Sequence, residues 1–407
     1  MEQHILVISQ YFYPEELRIN DICREWVKRG YKVTVVTGIP NYPKGKFYDG
    51  YGLFRQRKEE YEGIQIIRLP IIPRGKNAIM LMLNYLSFVV SGFVWKKKTK
   101  IRADKVFIFE VYPMTQALVG VWYAKKLKVP CYIYVQDLWP ENVEIVTGVH
   151  NSRIIGAIDS MVNYIYRNCS KILATSPSFV KRIEERESAW KDGRSKVTYW
   201  PQHTEEVYCP QIRKHLDDMP RNDETFKIVF AGNIGYAQGL DILPKTAKLL
   251  KKEKAECSFI IIGDGRYREE FKEEIKEKGV GEMFFLLNRK RPEEIPYYLA
   301  WCDVAFISFA NNPLFEMTIP AKLQSYMACG MPILASASGE TERIIQEAEC
   351  GISCGSGDEN KLAEAIRNLI KLPRENLHVM SENAEAYYRM HFCKKELMDI
   401  ADAFLDA

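Results

Sequence analysis

The residues with the most chemical promise lie in strand-to-helix junctions. FAGNIGYAQGLD (230–241) sets Gly232, Asn233 and Gly235 directly after an apolar run and before a helical stretch. There, backbone N–H groups and a helix dipole would converge on an anion, although a glycine turn after a strand can also be only a turn. IIIGDGRYREE (260–270) repeats the arrangement, with Arg266 at the helix start. In PLFEMTIPAKLQSYMACGMPILAS (313–336), Pro320 suits a first helical turn, Lys322, Gln324 and Ser325 follow it, and Gly330 ends the helix before the next strand. An amide-rich helix start, an ammonium and hydroxyl or amide groups would then meet where a nucleotide diphosphate could bind.

Two further junctions lie in the first half. SQYFYPEELRIND (9–21) offers Glu15, Glu16, Arg18 and Asn20, and YVQDLWPEN (134–142) offers Gln136, Asp137, Trp139 and Glu141. Asp137 could equally cap a turn and Trp139 could be packing. Because ligands of doubly wound sheets sit outside the carboxyl ends of the strands, all these loops are expected at the ligand-binding ends.

The elements that must position them alternate. Apolar β-rich runs at 4–9, 31–38, 64–70, 105–110, 131–137, 171–176 and 197–200 are mostly separated by helical stretches, the signature of βαβ crossovers and a buried parallel sheet. The pattern restarts after the proline-marked CPQIRKHLDDMPRNDET (209–225), with runs at 226–232, 257–265, 283–288, 304–309, 332–336 and 351–354. The expectation is an α/β chain of two doubly wound, Rossmann-like domains: residues 1–205, joined by a closing C-terminal helix at about 388–407, and residues 206–387.

Composition narrows the class. With 407 residues, 47% hydrophobic and 27% charged, the chain can build full cores and is not disordered. The opening MEQHILVISQYF reads as a buried strand and not as a secretory signal, and ten scattered cysteines, mostly in apolar runs, suit reduced thiols, so a cytoplasmic location is expected. The net charge of +4 conceals +12 on residues 1–200 and −8 on residues 201–407. A basic half suggests an anionic partner such as phospholipid headgroups, a lipid-linked phosphate or nucleic acid; charge simply spread over solvated faces is the other reading. Ala78–Trp95 is 18 uncharged residues followed by Lys96, Lys97, Lys98 and Lys100. It reads as a core helix, an interfacial helix at a membrane surface, or a short span.

Other chemistries are excluded on definite grounds. No glycines follow the first strand, so the dinucleotide-binding fingerprint is missing, and no Walker A loop occurs. Cys350 and Cys354 form a solitary CxxxC, the six histidines are dispersed, and no Asp-x-Asp pair stands ready for a metal–nucleotide complex. Neither a structural zinc, a cofactor nor a catalytic metal is expected.

Taken together, QYFYPEELRINDICREWVKRGYKVTVVTGIPNYPKGKFYDGY, QDLWPENVEIVTGV, YWPQHTEEVY, FAGNIGYAQGLD and IPAKLQSYMACGMPIL resemble glycosyltransferase family 4, retaining enzymes of the GT-B fold. Within it, they resemble the bacterial O-antigen and capsule branch that includes the WbuB-like N-acetyl-L-fucosamine transferases. The resemblance implies two Rossmann-like domains facing across a cleft and a UDP-sugar donor gripped without metal by the 232–235 loop and the helix after Pro320. It further implies a lipid-linked saccharide acceptor, a polyprenyl diphosphate, at the inner face of the plasma membrane, and no nucleic acid. Where many members carry an arginine and a lysine, this chain has Asn233 and Gln238; Ser325 replaces a ribose-binding glutamate, and Gln136 a histidine. Neutralising the leaving diphosphate then falls to Lys322 with Arg289, Lys290 or Arg291, while Gln324 or Ser325 would hold ribose. Glu316 is the candidate for a donor-sugar hydroxyl, Asp137 for a catalytic role, and Glu15, Arg18 and Gln136 for the acceptor side. A UDP-sugar 2-epimerase on the same fold and a non-catalytic membrane scaffold are the alternatives.

Overall fold

Strands rich in Val, Ile and Phe, buried on both faces, can be satisfied only inside a helix-covered parallel sheet, and the chain builds two of them. The computed structural model describes residues 3–75, 77–143, 148, 150–188, 195–220 and 225–406. It divides into one unit of Met1–Trp200 with Ile400–Ala407 and another of Pro201–Asp399. The first boundary therefore falls at Trp200 where the sequence suggested 205. The chain returns to the first unit at Ile400, not near 388, and does so part-way along the helix Lys394–Asp406.

The first unit holds eight strands: β1 (His4–Ile8), β2 (Lys32–Gly38), β3 (Lys58–Tyr61), β4 (Ile64–Leu69), β5 (Lys105–Glu110), β6 (Cys131–Val135), β7 (Lys171–Ala174) and β8 (Val197–Tyr199). Their order is β3-β4-β2-β1-β5-β6-β7-β8. All pairs are parallel except β3 with β4, a hairpin whose half-exposed first strand KEEY gave no apolar signal in the sequence. Trp200, Tyr134 and Phe107 form an aromatic centre on which Phe404 closes edge-on, its ring centroid 5.7 Å from that of Trp200.

The second unit holds β9 (Phe226–Ala231), β10 (Cys257–Ile262), β11 (Phe284–Leu287), β12 (Val304–Ser308), β13 (Ile333–Ser336) and β14 (Gly351–Ser353) in the order β11-β10-β9-β12-β13-β14, all parallel. Strand order reverses between β9 and β12 here, and between β1 and β5 in the first unit. In such sheets the crevice at the reversal is where ligands bind.

Helix α1 (Arg18–Lys28) follows β1, and α2 (Ala78–Lys98) follows β4. In α2, Asn77 caps the first turn by accepting from the Met80 N–H at 2.8 Å. Its inner face sets Asn84 and Phe88 in the core and Gly92 against Val119 of α3 (Ala117–Leu127), where an added Cβ would lie 2.4 Å from a valine methyl. Its outer face exposes Ile79 by 67%, Met82 by 54%, Leu86 by 48% and Val90 by 63%, one stripe at helical spacing that runs towards Lys96–Lys98. Ile79–Lys98 is long and apolar enough to cross a membrane.

Candidate functional site

The loop after β9 is fastened to the loop after β10. The Gly232 N–H donates to the Ile262 carbonyl and the Ile234 N–H to the Asp264 carbonyl, each at 2.9 Å. The backbones pass so closely that a Cβ at Gly263 would stand 1.9 Å from the Gly232 oxygen, and one at Gly265 would stand 2.1 Å from the Ile234 oxygen. Only glycine is tolerated at such an approach. The loop is also tied to the end of β12: Ser308 Oγ donates to the Gln238 carbonyl at 2.6 Å and the Ala310 N–H to the Ala237 carbonyl at 3.1 Å. Gly232, Asn233, Gly235 and Gln238 are thereby held rigidly at the reversal point of the second sheet, with Gly232 and Asn233 exposed.

Lys322 lies over this loop. It is the second residue of the helix Ala321–Ala328, for which Pro320 serves as the extended N-cap residue just outside the first turn. A Cβ at Gly232 would meet the lysine Cδ at 3.4 Å, so the bare glycine leaves room for the side chain to cross. The Nζ sits 4.1 Å from the Phe230 ring centroid and donates to Gln238 Oε1. Burial pulls its pKa down to about 7. Such an amine, without a carboxylate beside it, is poised to become charged when an anion arrives.

Two residues on, Gln324 is buried, and neither its Oε1 nor its Nε2 has a partner. Ser325 is committed: its Oγ lies 2.8 Å from Thr204 Oγ1 and 3.1 Å from the Ala321 carbonyl, to which it donates. Of the two ribose candidates, Gln324 is the one with unused hydrogen-bonding capacity. Arg266 is exposed and precedes the helix Arg268–Glu277 by two residues. Glu316 is exposed at the end of the single turn Pro313–Glu316, whose last carbonyl packs against Gly339, leaving 2.1 Å to a hypothetical Cβ there.

The expected basic group after β11 does not form one cluster. Arg289 is exposed two residues beyond the edge strand β11, which lies two places from β9. Lys290 pairs with Asp218 at 2.5 Å, and Arg291 with Glu294 at 3.1 Å. Carboxylates thus hold Lys290 and Arg291, and among the described residues Lys322 is the cation these contacts place on the glycine loop.

In the first unit Glu15 is a loop organiser. It is buried, its Oε1 accepts the N–H groups of Asn41 at 2.7 Å and Tyr42 at 2.6 Å, and its Oε2 accepts that of Phe12 at 3.2 Å. Burial pushes its pKa up to about 7 against the opposing pull of those amides. With both oxygens turned inward, it is not presented to an acceptor, contrary to the sequence expectation. Arg18 opens α1, half-buried. Gln136 and Asp137 leave β6: the Gln136 N–H donates to the Glu110 carbonyl at 2.9 Å, and Asp137 Oδ2 accepts the Tyr112 N–H at 3.1 Å. Burial lifts the Asp137 pKa to about 6. Beneath it the fully buried Glu110 is held well above the usual carboxylate range by burial and by Asp137 itself. Glu110 closes β5 and Asp137 follows the adjacent β6, its N–H donating to Glu110 Oε2 at 3.3 Å, so the two carboxyls share the floor of that loop cluster.

Sequence reading passed over Glu110, Phe230 and Arg74. The available signal for Glu110 was a lone acid closing the otherwise apolar strand KVFIFE; for Phe230 there was none, since a strand phenylalanine is ordinary core. Among the described residues, no group of three or more His, Cys, Asp or Glu side chains could hold a metal ion.

Residues 16–193 match the glycosyl transferase 4-like domain, and residues 211–387 match the glycosyl transferases group 1. Two glycosyl transferase domains thus make up most of the chain. This glycosyl transferase is 24% identical over 404 residues to Escherichia coli (strain K12) WcaI, whose name assigns it to colanic acid biosynthesis, covering 94% of this chain and 95% of that one. It is 26% identical over 266 residues to the Pseudomonas aeruginosa glycosyltransferase WbjE, 63% of this chain and 64% of that relative. Among solved structures, sucrose-phosphate synthase from Thermosynechococcus elongatus superposes with a TM-score of 0.76 at 14% identity, covering 100% of this chain and 99% of that one. Anabaena HepE in complex with UDP superposes with a TM-score of 0.70 at 15% identity over the whole of both chains. These likenesses to solved structures establish the fold.

Proposed function

We propose that this glycosyl transferase moves a sugar, an N-acetylated hexosamine or 6-deoxyhexosamine, from a UDP donor to a lipid-linked saccharide during bacterial surface polysaccharide assembly, as in the WbuB-like branch. The observation that carries the reading is Lys322 laid over Gly232, a lysine amine and an exposed glycine loop meeting at the reversal point of a Rossmann-like sheet. Other proteins of this fold have been crystallised with UDP and with UDP-glucose, which supports a nucleotide-sugar donor. Gln324 would accept and donate to ribose hydroxyls.

Transfer proceeds with retention and without metal. The bond from the anomeric carbon to the diphosphate oxygen breaks, and its electron pair leaves with UDP. The acceptor oxygen bonds on the same face, and its proton passes to the departing diphosphate. Lys322 and the amides near Gly235 stabilise the charge that develops, which is worth about 3–4 kcal/mol of barrier per donor in comparable sites. Asp137 orients the acceptor hydroxyl. The protein works at the cytoplasmic face of the membrane, resting on the exposed stripe of α2 with Lys96–Lys98 against anionic headgroups.

The test is incubation with UDP-, GDP- and dTDP-sugars, with detection of the nucleoside diphosphate released. Release of UDP, and protection from thermal unfolding by UDP, is expected. Conversion of a UDP-sugar without acceptor would instead mark an epimerase, and no stabilisation by any nucleotide would mark a scaffold.

A further inference from the structure

Arg74 is held in the first unit like a ligand-binding group and has no assigned task. Its loop, after β4, is locked from both sides. The Arg74 N–H donates to Asn41 Oδ1 at 2.9 Å, the Gly75 N–H donates to the Gly45 carbonyl at 3.1 Å, and Gly75 (φ 62°) packs so closely on Met80 of α2 that a Cβ would lie 2.6 Å from it. The guanidinium lies 5.2 Å from the ring centroids of both Tyr42 and Tyr112, and Nη2 donates to the Tyr112 hydroxyl at 3.1 Å. Nη1 is buried and has no acceptor.

Arg68, the last residue but one of β4, shows what a structural arginine looks like in this fold. Its guanidinium is fully buried, ion-paired to Glu59 and donated to the Tyr13 carbonyl at 2.6 Å. Arg74 has aromatic faces and a hydroxyl but, among the described residues, no carboxylate. Arg68 also keeps an unpartnered Nε, so what sets Arg74 apart is a half-buried guanidinium with a free Nη1 and no carboxylate to neutralise it, an environment suited to an anion. Its place in the fold agrees: Tyr112 follows β5 and Tyr11 follows β1, the two strands between which the first sheet reverses order, and Tyr11 packs on Tyr42 at 5.4 Å. Tyr85 comes from α2 itself, one residue before the exposed Leu86.

We infer that Arg74, with the hydroxyls of Tyr112 and Tyr85, binds the diphosphate of a lipid-linked acceptor, whose hydrocarbon chain follows the exposed stripe of α2. The purpose of the site rests on the transferase reading; its chemistry does not. Nη2 spends one of its two N–H donors on Tyr112, which leaves it and the unpartnered Nη1 able to meet two oxygens of a phosphate.

The test uses the full chain with inorganic pyrophosphate as probe, titrated calorimetrically in saturating UDP so that the donor loop is filled. Wild type is expected to bind pyrophosphate. Arg74→Gln should bind about tenfold or more weakly, as expected when a charge-assisted hydrogen bond is lost, with UDP affinity unchanged. Tyr112→Phe, which keeps the ring and removes the hydroxyl, should weaken pyrophosphate binding in the same direction and guards against misfolding of the Arg74 variant. Equal pyrophosphate affinity in wild type and both variants overturns the site. In a second arm, neutral vesicles carry either a long-chain polyprenyl diphosphate or phosphatidylglycerol at matched charge. Preference for the former that is lost in Arg74→Gln supports the lipid-linked source, and equal retention on both overturns it. Failure to bind UDP would sink the donor reading while leaving the dependence on Arg74 readable.

Discussion

The amine of Lys322 donates to the side-chain oxygen of Gln238 across the bare backbone of Gly232. A neutral amide is thus its hydrogen-bond partner, and the lysine meets the solvent-facing loop without a countercharge. Burial dominates its titration for that reason.

Affinity for UDP should therefore depend on pH in a set direction. In the free protein the Lys322 amine titrates near 7, below the ordinary lysine value, and a bound diphosphate favours the ammonium. Binding takes up a proton above pH 7, so affinity falls as pH rises from 7 towards 9. The ligand-free fold shows the opposite trend, gaining stability from this group over the same range because the unfolded chain holds the extra proton. Calorimetry in buffers of different ionisation enthalpy reads the proton uptake, and Lys322→Met should abolish it and lower turnover about 100-fold or more. Unchanged turnover in that variant would refute the assignment.

Gln324→Leu should separate stability from binding. The wild-type amide is buried with neither end bonded, so an apolar replacement of similar size leaves the melting temperature unchanged or raised. UDP affinity should nevertheless drop about tenfold, the worth of hydrogen bonds lost to ribose. A variant that binds UDP normally removes Gln324 from the site.

Glu15→Ala should cost stability and spare the donor site. Three backbone N–H groups lose their acceptor, a loss of about 2–4 kcal/mol by urea denaturation. Because the folded pKa stands near 7, above the ordinary carboxylate value, the contribution of this group is largest at acid pH and fades as pH rises from about 4.5 through 7. That part of the pH dependence should vanish in the variant, while thermal protection by UDP remains.

Val90→Asp with Ile79→Asp should lift the protein off membranes without unfolding it. Both side chains are exposed on the outer stripe of α2, so the melting temperature should stay within a few degrees while flotation with anionic vesicles is lost. Undiminished flotation would remove α2 from membrane contact.

Strand positions were readable because burial on both faces leaves no polar alternation to confuse them, and the glycine junctions were readable because close backbone approach admits no other residue, as at Gly263 and Gly265. The β3 strand KEEY escaped because an edge strand's polar side chains carry no such signature. Side-chain commitments escaped for a different reason. Whether Lys290 was available or Glu15 exposed depended on Asp218, far away in the chain, and on the Asn41 and Tyr42 amides, and spacing does not encode such partners. Arg74 escaped because Tyr42 and Tyr112, from separate segments, reach it only after folding.

The return of Ile400–Ala407 to the first unit has a practical corollary. Phe404 packs against Trp200 and Tyr132 of the first unit, and Leu405 beside it is buried. A fragment ending at Trp200 would therefore expose an unfilled aromatic hollow and precipitate. A protease that nicks the connection near Pro201 would leave its two products clinging together until denaturant is added, so native gels would not reveal the cut.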